Sequence, residues 1–202
     1  MNCILFFNGW GMNQSIFKNL IVPDNFELKI INFPYEIKFP LDTYDEIIAI
    51  GWSFGCYYLT KYLLKNSLTC KQIIAINGHS NTIGKYGIHP KILNLTLNTL
   101  TPENLLKFYN NMAVDKNFQP PKKNFDDILN ELQYFKDNYT DNLPNLFTKA
   151  IVATNDKIIP TAKQQLYLKK NNVPIINLTC GHYIWHKISS WQDLWEAQPN
   201  EF

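Results

Sequence analysis

The stretch Ile47-Ile48-Ala49-Ile50-Gly51-Trp52-Ser53-Phe54-Gly55 joins a buried-strand pattern to the start of a helical one. Four apolar residues in a row, three of them isoleucine, suit a strand covered on both faces. Residues 56–64 then place apolar side chains at helical spacing. Between the two stands G-x-S-x-G, the pattern of a nucleophile elbow. Glycines on either side of the serine permit a sharp strand-to-helix turn that lifts its hydroxyl above the sheet, and the helix N-terminus behind it favours the anion formed during attack. The pentapeptide alone also fits an ordinary Gly-rich turn; its flanking strand and helix decide for the elbow.

Working outward, six short runs rich in Ile, Val and Phe read as strands: residues 3–8, 26–33, 46–51, 72–77, 149–154 and 174–178. Most lack polar alternation, so the expectation is a mostly parallel six-stranded sheet with helices on both faces. Helical patterns at 15–20, 56–64 and 161–169 supply crossovers, whereas residues 34–44, with two prolines, are poor material for a full helix. Between the fourth and fifth strands lie residues 80–147, far longer than a connection of about 2–6 residues, so they must carry structure of their own. Helices are predicted at 89–99, from Thr101-Pro102 through Met112, and at 125–138, with a loop at 119–123. The organisation expected is a core of residues 1–79 and 148–202 with a helical cap, 80–147, inserted over the C-terminal edge of the sheet.

A serine nucleophile needs an acid, a base and an oxyanion hole, and in this fold the acid precedes the base in the chain. Asp156 closes the strand pattern 150–154 and precedes Lys157-Ile158-Ile159-Pro160, where the proline starts a helix. Such an Asp can orient an imidazole or simply cap that helix; Asp137 and Asp141 fall in the insertion and compete poorly. Of the four histidines, His182 follows the last strand in Leu178-Thr179-Cys180-Gly181-His182 and is the candidate base. His186 would share a helical face with it, His89 looks like a helix start, and His79, at the end of the fourth strand, is expected to line the substrate pocket together with Trp52. The oxyanion hole is expected to use the N–H of Phe54, which follows the serine, and that of Trp10, in the turn Asn8-Gly9-Trp10-Gly11-Met12 after the first strand.

Composition excludes other classes. The chain has 202 residues, 46% of them hydrophobic, enough for one substantial core. It contains no arginine; its 19 basic residues are all lysine against 17 acids, a net charge of +2, too balanced for a nucleic-acid ligand. Without the guanidinium fork, an acidic partner must be met by lysine or backbone N–H groups. No segment has the length of a membrane span and no signal peptide is apparent, so a cytoplasmic location is expected; a monomer is expected as well, though nothing in the residue pattern sets the oligomeric state. The four cysteines lack metal-ligand spacing, and no metal site or cofactor is expected.

Phe7-Asn8-Gly9-Trp10-Gly11-Met12-Asn13 together with Gly51-Trp52-Ser53-Phe54-Gly55 resembles the BioG family of compact α/β-hydrolases, and the similarity runs over the whole chain. Asn8-Gly9 stands where many α/β-hydrolases have His-Gly, and Thr154-Asn155-Asp156 departs from their commoner Gly-x-Asp. The resemblance implies an α/β-hydrolase fold and a Ser53, Asp156, His182 triad with Trp10 and Phe54 as oxyanion donors. It also implies hydrolysis of the methyl ester of pimeloyl-acyl-carrier protein in biotin synthesis, with the carrier as partner. The carrier, acidic as a class, would then meet lysines at the pocket rim, with Lys85, Lys91, Lys107, Lys122 and Lys123 as candidates. Three alternatives stay open: a thioesterase acting on the same carrier, a general small-ester hydrolase, and a hydrolase fold that only binds.

Overall fold

Alternation along the first strand builds both layers of the core. In the computed structural model, which describes residues 1–198, β1 (Asn2–Phe7) turns Ile4 and Phe6 to one face of the sheet and Cys3, Leu5 and Phe7 to the other, all fully buried. It is flanked by β2 (Phe26–Ile31) and β3 (Ile47–Trp52), and the sheet continues through β4 (Gln72–Ile76), β5 (Lys149–Ala153) and β6 (Ile175–Leu178) in the order β2-β1-β3-β4-β5-β6, every pair parallel. The strands fall within two residues of the positions expected, because short runs of Ile, Val and Phe leave little ambiguity, even in the edge strands β2 and β6, which are partly exposed. The chain leaves β1 in one direction and returns to β3 on its other side. The carboxyl ends of β1 and β3 therefore flank a topological switch point, where open α/β sheets bind their ligands.

Helix α1 (Phe54–Asn66) and α5 (Thr161–Lys170) cover one face, with Leu59, Leu63, Tyr167 and Leu168 packed on Leu5, Phe7, Ala49 and Val152. On the other face Phe17, Trp185 and Trp191 surround Phe6 in a cluster of tilted and edge-on rings with centroids 4.7–5.7 Å apart, each pair worth about 0.5–1.5 kcal/mol beyond its buried area. The helix expected at 15–20 is only a 3-10 turn, Gln14–Phe17. Ile21 is drawn into an extended bridge with the C-terminal segment, its N–H donating to Ser189 and its carbonyl accepting from Trp191, each at 3.0 Å. That bridge, with Pro23 behind it, leaves no room for a second turn. The β2–β3 connection carries no helix.

Three helices fill the insertion between β4 and β5: α2 (Pro90–Thr99), α3 (Pro102–Asn111) and α4 (Phe125–Asn138). Each is started by a side-chain acceptor. The His89 ring accepts from Lys91 N–H, Thr101 Oγ1 from Asn104 N–H and Asn124 Oδ1 from Asp126 N–H. A short α6 (Asp193–Glu196) follows near the C-terminus. No helix among the described residues is long and apolar enough to cross a membrane.

His79 does not line the cavity expected of it. Gly78 packs its backbone against Ser53, where a Cβ would stand 2.6 Å from the Ser53 carbonyl oxygen, and the following ring turns toward α5. There His79 stacks on Tyr167 at 4.2 Å, donates from Nε2 to the Tyr86 carbonyl at 2.9 Å and accepts at Nδ1 from the Asn81 N–H. Burial lowers its pKa from the usual 6.5 to about 4.

Two measurements follow from this packing. A Cβ at Gly55 would lie 2.0 Å from the Phe7 carbonyl oxygen; Gly55→Ala is expected to cost ~3 kcal/mol or more, read as a lower denaturant midpoint at unchanged slope. The unfolded chain protonates His79 before the folded one does, so its contribution is complete above pH 6.5 and is lost as pH falls toward 4. That loss amounts to up to about 3 kcal/mol. His79→Gln is expected to flatten the stability curve over that interval.

Candidate active site

Ser53 stands between β3 and α1 at φ 57°, ψ −125°, a region that costs a non-glycine residue about 1–3 kcal/mol. Its N–H donates to the Ile76 carbonyl at 2.9 Å and its carbonyl accepts from Cys56, so the strained residue is tied to β4 on one side and to the first turn of α1 on the other. The tight approach of Gly51 to Cys56 and of Gly55 to Phe7 leaves no room for a Cβ at either position.

His182 and Asp156 meet from the loops after β6 and β5. His182 Nδ1 lies 2.8 Å from Asp156 Oδ2, both side chains buried. The carboxylate is an acceptor, so Nδ1 is the donor of this bond, and in the neutral ring Nε2 keeps its lone pair. Asp156 also serves the turn that sequence alone could assign to it: Oδ1 accepts from Ile158 and Ile159 N–H at 2.8 and 3.0 Å, while Oδ2 takes a further bond from Gln164 Nε2 at 2.9 Å. The loop carrying His182 is pinned through its own backbone. The His182 carbonyl accepts from Asn77 Nδ2 at 2.8 Å and from the Trp52 indole at 3.2 Å, and Asn77 Oδ1 in turn accepts from Ala153 N–H at 2.7 Å.

The turn after β1 is held from several directions. Asn8 Oδ1 accepts from Gly9 N–H, Asn8 Nδ2 donates to Asn32, and the Tyr35 hydroxyl donates to the Asn8 carbonyl, each at 2.9 Å. Gly11 adopts φ 71°, and the Trp10 indole donates to the Ile128 carbonyl at 2.8 Å. Phe54 is the first residue of α1, so its N–H has no acceptor within the helix.

Ser53, His182, Trp10, Trp52 and Phe54 wall one cavity of about 180 Å³, closed on its other side by Leu93, Phe108, Met112 and Leu132 from the insertion. The lining is mainly apolar and suits an uncharged chain. His79 falls outside it. His186 sits in a 3-10 turn, Trp185–Lys187, stacked on Tyr183, and so does not share a helical face with His182. Among the lysines, Lys123 is paired with Glu131 at 2.8 Å, Lys107 bonds Asn104, and Lys85 lies over the Tyr86 ring. No cluster of three or more metal-ligating side chains occurs among the described residues.

Sequence reasoning missed Gln164, Asn77, Lys157 and Glu131. Gln164 carried a usable signal, since it falls on the same helical stripe as Tyr167 and Leu168, a polar residue on a buried face. Lys157 follows Asp156 directly and lines the cavity, which no pattern indicated.

The family model described as Pimeloyl-ACP methyl esterase BioG matches residues 1–194. A Bacteroides fragilis (strain 638R) protein named malonyl-[acyl-carrier protein] O-methyltransferase is 30% identical over 194 residues, which are 89% of this chain and 39% of that protein. The chain thus spans about two fifths of that relative's length. Among solved structures, BioG from Haemophilus influenzae superposes with a TM-score of 0.85 at 27% identity, over 96% of this chain and 94% of that one. A lipase-esterase related protein from Clostridium acetobutylicum ATCC 824 superposes with a TM-score of 0.63 at 19% identity, over 91% and 88%, and shares the fold. With an α/β-hydrolase sheet and a family match running from its first residue to its last helix, this chain belongs to the BioG family.

Proposed function

We propose that the chain is a serine esterase that removes the methyl group from methyl-pimeloyl-acyl-carrier protein in biotin synthesis, in the cytoplasm. The observation that carries this is the His182 Nδ1–Asp156 Oδ2 bond of 2.8 Å in a cavity that also holds Ser53 on its strained turn. Family membership supports the substrate. The Bacteroides fragilis relative supports it from another side, being named for methylating a carrier-bound acid. In this proposal residues 80–147 are the cap and residues 1–79 and 148–202 the core, residues 199–202 lying outside those the structure describes.

His182 Nε2 takes the proton of Ser53 Oγ as the oxygen attacks the ester carbonyl. The tetrahedral oxyanion rests on the N–H groups of Trp10 and Phe54, where the loss of one donor costs about 2.7–4 kcal/mol. His182 returns the proton to the methoxy oxygen, and methanol leaves. Water, deprotonated by the same nitrogen, then attacks the acyl-enzyme; Ser53 regains its proton and the pimeloyl carboxylic acid departs on its carrier. Every group needed is a side chain or backbone N–H of this chain. The absence of arginine is no handicap, because the ester is neutral and the transient charge meets backbone dipoles.

Incubation with methyl-pimeloyl carrier protein, followed by mass spectrometry, is expected to show loss of the methyl group with the carrier thioester intact; free carrier thiol would show a thioesterase instead. Ser53→Ala is expected to abolish turnover, and Asp156→Asn to lower kcat on the order of 10⁴-fold by allowing the wrong imidazole tautomer. A fluorophosphonate that failed to label Ser53 would exclude the serine mechanism.

A further inference from the structure

One face of α4 meets both turns assigned to the oxyanion. The Ile128 carbonyl accepts the Trp10 indole N–H at 2.8 Å, and its Cγ2 stands 3.4 Å from where a Cβ at Gly11 would be. One turn further on, Glu131 is 2% exposed; it pairs with Lys123 at 2.8 Å, and its carboxylate lies near the Gly11 N–H and the Tyr35 hydroxyl. Another turn on, Phe135 stacks on Phe54 at 3.9 Å, the planes 8° apart. Residues 128, 131 and 135 follow the i, i+3, i+7 spacing of one helical stripe, and all three are buried.

Glu131 is the informative member. A carboxylate is costly to bury unless ion-paired and hydrogen-bonded, and its neighbour Leu132 shows that this face accommodates an apolar side chain. Its surroundings are Lys123 on the insertion, the Gly11 N–H, and the hydroxyls of Tyr35, Tyr58 and Tyr109. Burial pushes its carboxyl upward while Lys123 and the Gly11 N–H pull it down. The Gly11 amide is adjacent to Trp10, in a turn at positive φ whose orientation the local sequence leaves loose.

We propose that α4 positions the oxyanion hole: Glu131, beside the Gly11 N–H, and Ile128, through the Trp10 indole, hold the turn that directs the Trp10 N–H, while Phe135 seats the Phe54 ring against the insertion. The insertion then contributes to bond-making as well as to covering the substrate. The proposal rests on the assignment of Trp10 and Phe54 as oxyanion donors. Glu131 and Phe135 are positioning residues, since neither lines the cavity.

The test compares wild type with Glu131→Leu, Glu131→Gln and Trp10→Phe on the methyl-ester substrate, together with the affinity of a reversible alkylboronic acid that mimics the tetrahedral intermediate. A donor misplaced by about 1 Å costs on the order of 10²-fold. Glu131→Leu is therefore expected to lower kcat by ~10–10²-fold at nearly constant KM, and both it and Trp10→Phe, which also thins the cavity wall, to lower kcat and weaken boronate binding by a similar factor. Glu131→Gln keeps an acceptor for Gly11 and is expected to stay within about threefold of wild type. Thermal melting identifies any variant that fails to fold, and Trp10→Phe, which buries no charge, then decides. Folded variants with wild-type kcat and boronate affinity, or a loss confined to KM, would overturn the proposal. Full activity in Ser53→Ala would instead overturn the serine mechanism beneath it.

Discussion

The backbone of Ser53 is held in a conformation it would not adopt alone, and much of the core is arranged around that constraint. At φ 57° the residue stores strain that the surroundings must offset. They do so by contact on three sides. β3 is paired with β1 and β4 along its length; Gly55 brings α1 against the carbonyls of Phe7 and Asn8; and Gly78 brings the end of β4 against Ser53 itself. The glycines matter here because the approaching groups are backbone, which cannot move aside. The same close approach places the first N–H of α1 beside the turn that follows β1, and so brings two candidate donors to one cavity.

His182 and Asp156 are placed by a different principle. They come from loops after the last two strands; Asp156 closes its own turn onto Ile158 and Ile159, but the two loops are tied to each other from outside. Asn77, at the end of β4, bridges the two, accepting from Ala153 and donating to the His182 carbonyl, with the Trp52 indole as a second donor. Gln164 adds a donor to the carboxylate from α5. Buried amides are expensive if left unpaired; both ends of the Asn77 amide are bonded, as is the Gln164 Nε2, which confers rigidity, whereas the Gln164 Oε1 has no partner among the described residues. The glycine before His182 has its own neighbour, since a Cβ there would stand 2.5 Å from that of Ala113 in the insertion.

The composition takes on a sharper meaning against this geometry. A chain without arginine cannot build a bidentate anion clamp, and the cavity contains none: its walls are apolar, with Lys157 at its lining. Lysine appears instead in local roles, as in the Lys123–Glu131 pair and in Lys149, which donates to the carbonyls of Trp195 and Ala197. Asparagine, 25 residues in all, is used structurally as well as on the surface. Asn8, Asn77, Asn81 and Asn124 each close a turn or start a helix with a side-chain amide.

Local signals in the sequence carry the six strands, the elbow, the three insertion helices and the places of Asp156 and His182 after the fifth and sixth strands. Those signals are apolar runs, Thr-Pro and Asn helix starts, and glycines at fixed offsets from a serine. Tertiary structure decided what depends on meeting across the chain. His79, a strand-end histidine like His182 in its local pattern, turns under α5 because Gly78 is packed on Ser53, whereas His182 turns into the cavity because Asn77 and Trp52 hold its carbonyl. The segment at 15–20 carries a helical pattern, yet the bridge from Ile21 to a partner some 170 residues away ends it after one turn. Glu131 looks like any exposed helix acid until α4 is laid against Gly11. Side-chain direction at a loop, and the burial of one polar residue in a helix, are set by the neighbouring element, whose identity no local window contains.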